Sequence, residues 1–312
     1  MKFIYPVFFS CTMLVSFNGV SQDMLDELGE DPKEMERVTA SFKNSKVINA
    51  QSTETTHKGV LDFRISHRFG MLSGGLYELF GLDQASLRLS FDYGITSRLM
   101  VGFGRSTYQK TYDEYIKYKI LWQTDGSNKM PITLIWYSNM AISTLKVPEN
   151  LPYEFKFTQR LVYTHQLIIG RKFTEGFTAE ILPTVVHRNI VATAAEKNTV
   201  YVIGAAGRIK LTRRIALNAE YFYVLPDQLA KDATGKDIYT NSLSIGFDIE
   251  TGGHVFQLHF TNSPIMIDKG YITETTQKWT DGDINFGFNI SRVFTIVKPK
   301  KKEEPETEAP IE

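Results

Sequence analysis

Apolar and polar residues alternate along several stretches of the chain. Leu87, Leu89, Phe91 and Tyr93 interleave with Ser86, Arg88, Ser90 and Asp92, and Leu61, Phe63 and Ile65 with Asp62, Arg64, Ser66 and Arg68. The rhythm returns in Leu243, Ile245, Phe247 and Ile249 against Ser242, Ser244, Gly246 and Asp248. It returns again in Ile284, Phe286, Phe288 and Ile290 against Asn285, Gly287, Asn289 and Ser291. Successive side chains of an extended backbone point to opposite faces, so a period of two predicts strands with one apolar and one polar face.

Such strands are predicted to begin near Gly59, Ala85, Arg98, Tyr112, Pro131, Phe157, Phe177, Thr199, Arg214, Ser242, His254 and Asp283. That makes about 12, many near the 9–11 residues a tilted membrane strand requires. Connections near Thr96, Glu175, Thr212 and Gly252 are tight, whereas residues 70–84, 143–156, 189–198, 226–241 and 262–282 are long and polar. Short periplasmic turns alternating with long outer loops produce this pattern. Residues 122–130 are the exception, a moderately long connection on the short side. An even strand count returns the chain near Phe294 to the rim it left at Gly59. A further strand-like run, residues 47–55, would make the count odd; it is placed outside the wall, either paired in the periplasm or lying inside the lumen.

The competing architecture is a soluble β-sandwich, which usually has shorter strands and no systematic asymmetry of turn length. Aromatics near strand ends, among them Tyr93, Tyr112, Trp122, Tyr163 and Phe294, suit interfacial girdles. The expected fold is therefore all-β: an antiparallel transmembrane β-barrel of about 12 strands, with a flexible N-terminal segment and a disordered C-terminal tail.

The remaining composition sets the context. Lys2, the apolar run over residues 3–17 and the small, polar stretch ending at Ser21 read as a signal peptide over residues 1–21. Cys11, the only cysteine, falls within it, so the mature chain is expected to have no thiol or disulfide. Residues 22–58 form a periplasmic or lumen-associated entry segment, residues 59–296 the barrel, and residues 297–312, dominated by Lys, Glu and Pro, a disordered charged tail. Lys+Arg 35 against Asp+Glu 35 leaves no basic field for nucleic acid. No later segment approaches the roughly 18 apolar residues of a spanning helix, so a membrane form must be a closed barrel. The expected location is the outer membrane of a Gram-negative bacterium after signal-peptide-directed export. The expected partners are its lipid bilayer and, during insertion, the barrel-assembly machinery.

If apolar faces meet lipid, the intervening faces line the lumen. That assigns Asp62, Arg64, Arg68, Arg88, Asp92, Lys117, Lys119, Arg160, Glu180, Arg188, Arg208, Glu220 and Asp248 to a lumen-lining charged network. It supports a narrow pore for small solutes, its basic excess preferring anions, or a scaffold whose interlocked charges fill the interior. His259 with Thr261 on one face resembles the His-x-Ser arrangement of outer-membrane phospholipase. Threonine stands where that enzyme has serine, and no orienting residue can be assigned. A hydrolase, or a surface-loop binding protein using residues 143–156 and 262–282, is kept as the alternative, and no catalytic residue is assigned. Asp268, Glu274, Asp281 and Asp283 share one long loop and read as solvated. His67 and His165 fall on the lipid-facing parity, and no histidine pair has metal-site spacing, so no metal or cofactor is expected. Leu76, Leu79 and Phe80 suggest a short helix at the barrel mouth or the bilayer interface.

Several runs resemble an uncharacterised family of outer-membrane β-barrel proteins of Bacteroidota, the domain of unknown function 5777. They are residues 59–70 (Gly-Val-Leu-Asp-Phe-Arg-Ile-Ser-His-Arg-Phe-Gly), 81–83 (Gly-Leu-Asp), 87–96 (Leu-Arg-Leu-Ser-Phe-Asp-Tyr-Gly-Ile-Thr) and 99–102 (Leu-Met-Val-Gly). Residues 111–113 (Thr-Tyr-Asp) and 117–119 (Lys-Tyr-Lys) continue the likeness, which runs from about Val47 to Phe294. The resemblance implies the barrel and the outer membrane, and brings no activity, ligand or catalytic residue.

Overall fold

The computed structural model describes residues 35–298, apart from 127, 128, 150, 152, 192 and 195. The segment read as a signal peptide, and all but the first two residues of the expected tail, lie outside the described residues.

Twelve strands close into one antiparallel barrel. They are β1 (Val60–Met71), β2 (Ala85–Gly94), β3 (Leu99–Ser106), β4 (Thr111–Leu121), β5 (Thr133–Ser143), β6 (Leu161–Lys172), β7 (Phe177–Arg188), β8 (Thr199–Lys210), β9 (Ile215–Val224), β10 (Ser242–Thr251), β11 (His254–Thr261) and β12 (Asn285–Thr295). Each pairs with its sequence neighbours, and β12 closes onto β1 with Thr295 opposite Val60 and Asn285 opposite Met71. Closure leaves no edge of unpaired amides, which is what hydrocarbon demands of a spanning sheet.

The period of two becomes an inside and an outside. On β1, Asp62, Arg64, Ser66 and Arg68 are buried within the barrel while Leu61, Phe63, Ile65 and His67 alternate with them on the outer face. Outward rings pair across strands: Phe63 with Phe91 at 5.0 Å and Phe69 with Phe286 at 5.8 Å between centroids. His67 belongs to this band, stacked on Phe288 at 5.1 Å. His165, also outward, shares a 3.0 Å hydrogen bond with Ser138 Oγ.

One rim carries the tight turns β2–β3, β6–β7, β8–β9 and β10–β11; the other carries the long loops, with the short connection 107–110 among them. The long linker between β4 and β5 has a physical reason. Its Thr124–Asp125 pairs antiparallel with Glu36–Arg37, and Val38 N–H donates to the Gln123 carbonyl at 2.9 Å. The extra residues hold the entry segment at the short-turn rim. Trp122 adds a clamp, its ring 4.1 Å from the guanidinium carbons of both Arg37 and Arg98.

Two local expectations are corrected. The sixth strand starts at Leu161 rather than near Phe157, because Phe157–Arg160 forms a 3-10 turn closed by Lys156 N–H donating to Gln159 Oε1 at 2.7 Å. Leu72–Gly81 is also 3-10, but Leu79 and Phe80 have φ of 46° and 54°, so no regular helical face forms. Leu76, Leu79 and Phe80 stand exposed at the long-loop rim.

Candidate functional site in the barrel lumen

The lumen is filled from both ends. From the short-turn rim, residues 42–54 enter as a hairpin: Lys46 bridges Gln51, Val47 N–H donates to the Ala50 carbonyl at 2.8 Å, and Ser52 N–H to the Ser45 carbonyl at 2.9 Å. The strand-like run of residues 47–55 thus lies inside the lumen, the second of the two places open to it. Its tip carries three adjacent backbone amides, Ile48, Asn49 and Ala50, that all donate to the Glu220 carboxylate at 2.9–3.1 Å. Successive N–H groups converging on one carboxylate form an anion nest.

The opposite polarity is read by other wall residues. Lys117 Nζ donates to the carbonyls of Ser45 at 2.9 Å and Glu54 at 2.7 Å. Gln257 Nε2 donates to the Val47 carbonyl at 2.6 Å, and Asn289 Nδ2 to that of Ile48 at 3.1 Å. Arg68 Nη2 donates to Asn49 Oδ1 at 2.9 Å, and Ser45 Oγ donates to Asp92 at 2.8 Å. Two glycines make the passage possible. A Cβ on Gly170 would meet Thr53 Cγ2 at 2.4 Å, and one on Gly94 would sit 2.1 Å from the His57 carbonyl oxygen.

From the long-loop rim, residues 262–275 fold inward and place a single helical turn, α1 (Asp268–Thr273), wholly buried in the lumen. The expectation of a solvated loop is corrected here. Ile265, Met266, Ile267, Tyr271 and Ile272 give the loop an apolar side that is stable only when covered. Tyr271 meets Phe222 edge-on at 5.1 Å, and Tyr137 Oη donates to Asp268 Oδ2 at 2.5 Å. Nearer the rim, Tyr108 Oη donates to Glu274 at 3.0 Å; burial and that carboxylate hold the phenol above its ordinary pKa.

Of the residues assigned to the lumen from sequence, all but Arg160 are buried inside the barrel. Arg64 pairs with Asp62 at 3.2 Å, and Arg88 grips Asp113 with two hydrogen bonds of 3.1 and 2.5 Å. Asp248 accepts from Gln257 at 2.8 Å, and Arg188 meets Glu196 at 2.8 Å. Arg208 Nη1 lies 3.4 Å from the Ser41 carbonyl, Lys119 sits beside Trp122, and Glu180 lies where Thr53 passes over Gly170. Arg160 falls in the turn ahead of β6, where it donates to the carbonyls of Ser143 and Leu145 at the long-loop rim. Gln257, Asn289 and Asn49 were not singled out from sequence. The first two sat on polar strand faces, where an uncharged amide gives no sign that it will bind a second backbone.

His259 and Thr261 both face the lumen, fully buried, and Thr261 Oγ1 accepts from Ser244 Oγ at 2.9 Å. The carboxylates of the long loop do not converge on them: Asp268 is held by Tyr137 and Tyr271, and Glu274 by Tyr108 and Lys269. Asp281 and Asp283 stay at the rim. Among the described residues no three His, Cys, Asp or Glu side chains gather as metal ligands.

A family model described as "Membrane bound beta barrel domain (DUF5777)" matches residues 42–294. No curated protein matches the sequence. Among solved structures, the NanC porin is 10% identical with a TM-score of 0.46, covering 76% of this chain and 100% of that one. The KdgM porin is 8% identical with a TM-score of 0.44, covering 75% and 99%. Omp33 of Acinetobacter baumannii is 7% identical with a TM-score of 0.38, covering 75% and 97%.

Proposed function

The chain belongs to this family of membrane-bound β-barrel domains, and from that premise we propose that it is an outer-membrane barrel whose lumen is shut in the resting state, a scaffold in the bilayer rather than a standing pore. The observation that carries this reading is the hairpin of residues 42–54 lying in the lumen, its tip held on Glu220. The inward α1 turn fills the other end. A continuous water path would have to displace both. In the same reading the short-turn rim faces the periplasm, the signal peptide directs export, and the barrel-assembly machinery inserts the chain.

The test is planar-bilayer recording. The intact protein should give no stepwise current at moderate voltage, while a variant with residues 42–54 and residues 264–276 each replaced by a short Gly-Ser linker should show discrete openings. Steady ohmic conductance from the intact protein would overturn the closed reading and favour the narrow pore.

A further inference from the structure

The wall reads the hairpin chiefly through its main chain. Lys117, Gln257 and Asn289 donate to four of its carbonyls, and Glu220 accepts from three of its amides. These residues come from four strands, β4, β9, β11 and β12, so the peptide groups are engaged from several sides of the lumen. Main-chain amides and carbonyls are common to every sequence. What the hairpin adds is compactness: Ser45, Ala50, Ser52 and Thr53 are small, and Thr53 passes where Gly170 leaves no side chain in the way.

A permanent filler is most stably built from apolar side chains, because every buried polar group must find a partner. Here Phe42, Val47 and Ala50 do join the buried apolar cluster, but the rest of the contact is made by amides, carboxylates and ammonium groups, each of which exchanges its partner for water at a small net cost if the segment leaves. Peptide recognition elsewhere uses the same division of labour, with main-chain bonds giving affinity and side-chain pockets giving choice.

We infer that the lumen is a binding site for a polypeptide segment, recognised through its backbone amides and carbonyls, and that residues 42–54 are its resident and exchangeable occupant. The incoming ligand is a turn-forming peptide whose tip carries small or aliphatic side chains, delivered from the short-turn rim. This rests on the closed reading proposed above, and the experiment separates the two.

The probe is a synthetic, fluorophore-tagged peptide of residues 41–55, added to the Gly-Ser linker variant in bilayers and in detergent. The variant should conduct, and micromolar peptide should bind and close it. Peptides carrying Ile48→Pro and Asn49→Pro, which lack two of the amides on Glu220, should bind at least tenfold more weakly. Lys117→Met or Glu220→Gln in the barrel should weaken the unmodified peptide by a similar factor. A folded variant that conducts yet neither binds nor is closed by the peptide sinks the exchange proposal and leaves the closed reading standing. A folded variant that stays silent sinks the closed reading itself.

A second measurement, independent of the folding of that variant, uses the full chain with Asn49→Cys. Exchange predicts that a membrane-impermeant maleimide labels this buried position slowly and that excess peptide accelerates labelling severalfold. Labelling that excess peptide leaves unchanged overturns the proposal.

Discussion

Two sectors of the same inner wall differ in chemistry. From β10 round through β11, β12 and β1 to β2, the buried inward positions are polar, charged or glycine, as in Asp248, Gln257, Asn289, Arg64 and Asp92. From β5 to β8, the more apolar sector, Ile135, Tyr137, Ile168, Leu182, Val186, Val200 and Val202 stand inward among polar residues such as Gln166, Glu180 and Thr184. The outer face shows no such division, because lipid imposes one requirement all the way round. The inner face answers to whatever lies against it. The hairpin's peptide groups meet Gln257 and Asn289 of the polar sector and, at its two borders, Lys117 of β4 and Glu220 of β9, whereas α1 lies against β6 and β9.

If the two sectors hold their occupants by different forces, substitutions should separate them. The largest effect is expected at Arg88→Ala in the polar sector, which leaves Asp113 buried without its partner. A loss of about 3–5 kcal/mol is expected by urea unfolding in vesicles, with most of it recovered when Asp113→Leu is added. In the apolar sector, Leu182→Ala should cost about 3 kcal/mol by the same measurement, since no polar group is orphaned and the penalty is a cavity. Equal recovery in both sectors on adding a second apolar substitution would erase the distinction. Tyr137→Phe, at the contact with α1, should cost about 2 kcal/mol through the lost hydrogen bond to Asp268. The smallest effect belongs to Trp122→Leu at the rim. Loss of its two guanidinium contacts should lower stability by about 1 kcal/mol, yet speed trypsin cleavage at Arg37 as the entry segment loosens.

The same division explains what could be read before the structure. The alternation was clearest on β1, β2, β10 and β12, all members of the polar sector, because only there do the two faces contrast. On β5 to β8 the inward Ile135, Leu182 and Val202 match the lipid-facing residues, and the period blurs even though the strands are just as regular. That blurring was itself a signal that apolar side chains share the lumen on that side. The inward loop had a signal too, since Ile265, Met266 and Ile267 make a poor solvated segment. For the hairpin there was none of that strength. Residues 44–53 have the composition of an ordinary half-buried strand, and their place inside the barrel depends on Glu220, Gln257 and Asn289, which are distant in sequence. Arg160 was assigned to the lumen because its strand was started four residues early, and no local pattern marks the Gln159 cap that stops it.

Both arms of the hairpin leave through one opening. The leading arm passes Trp122 and Gln123, and the trailing arm crosses Gly94 on its way into β1. A segment that traversed the tube would have to be reeled through it end to end. A doubled-back cord can instead be withdrawn by tugging on its upstream arm, its fastenings parting in sequence from the mouth inward while the cylinder itself stays intact.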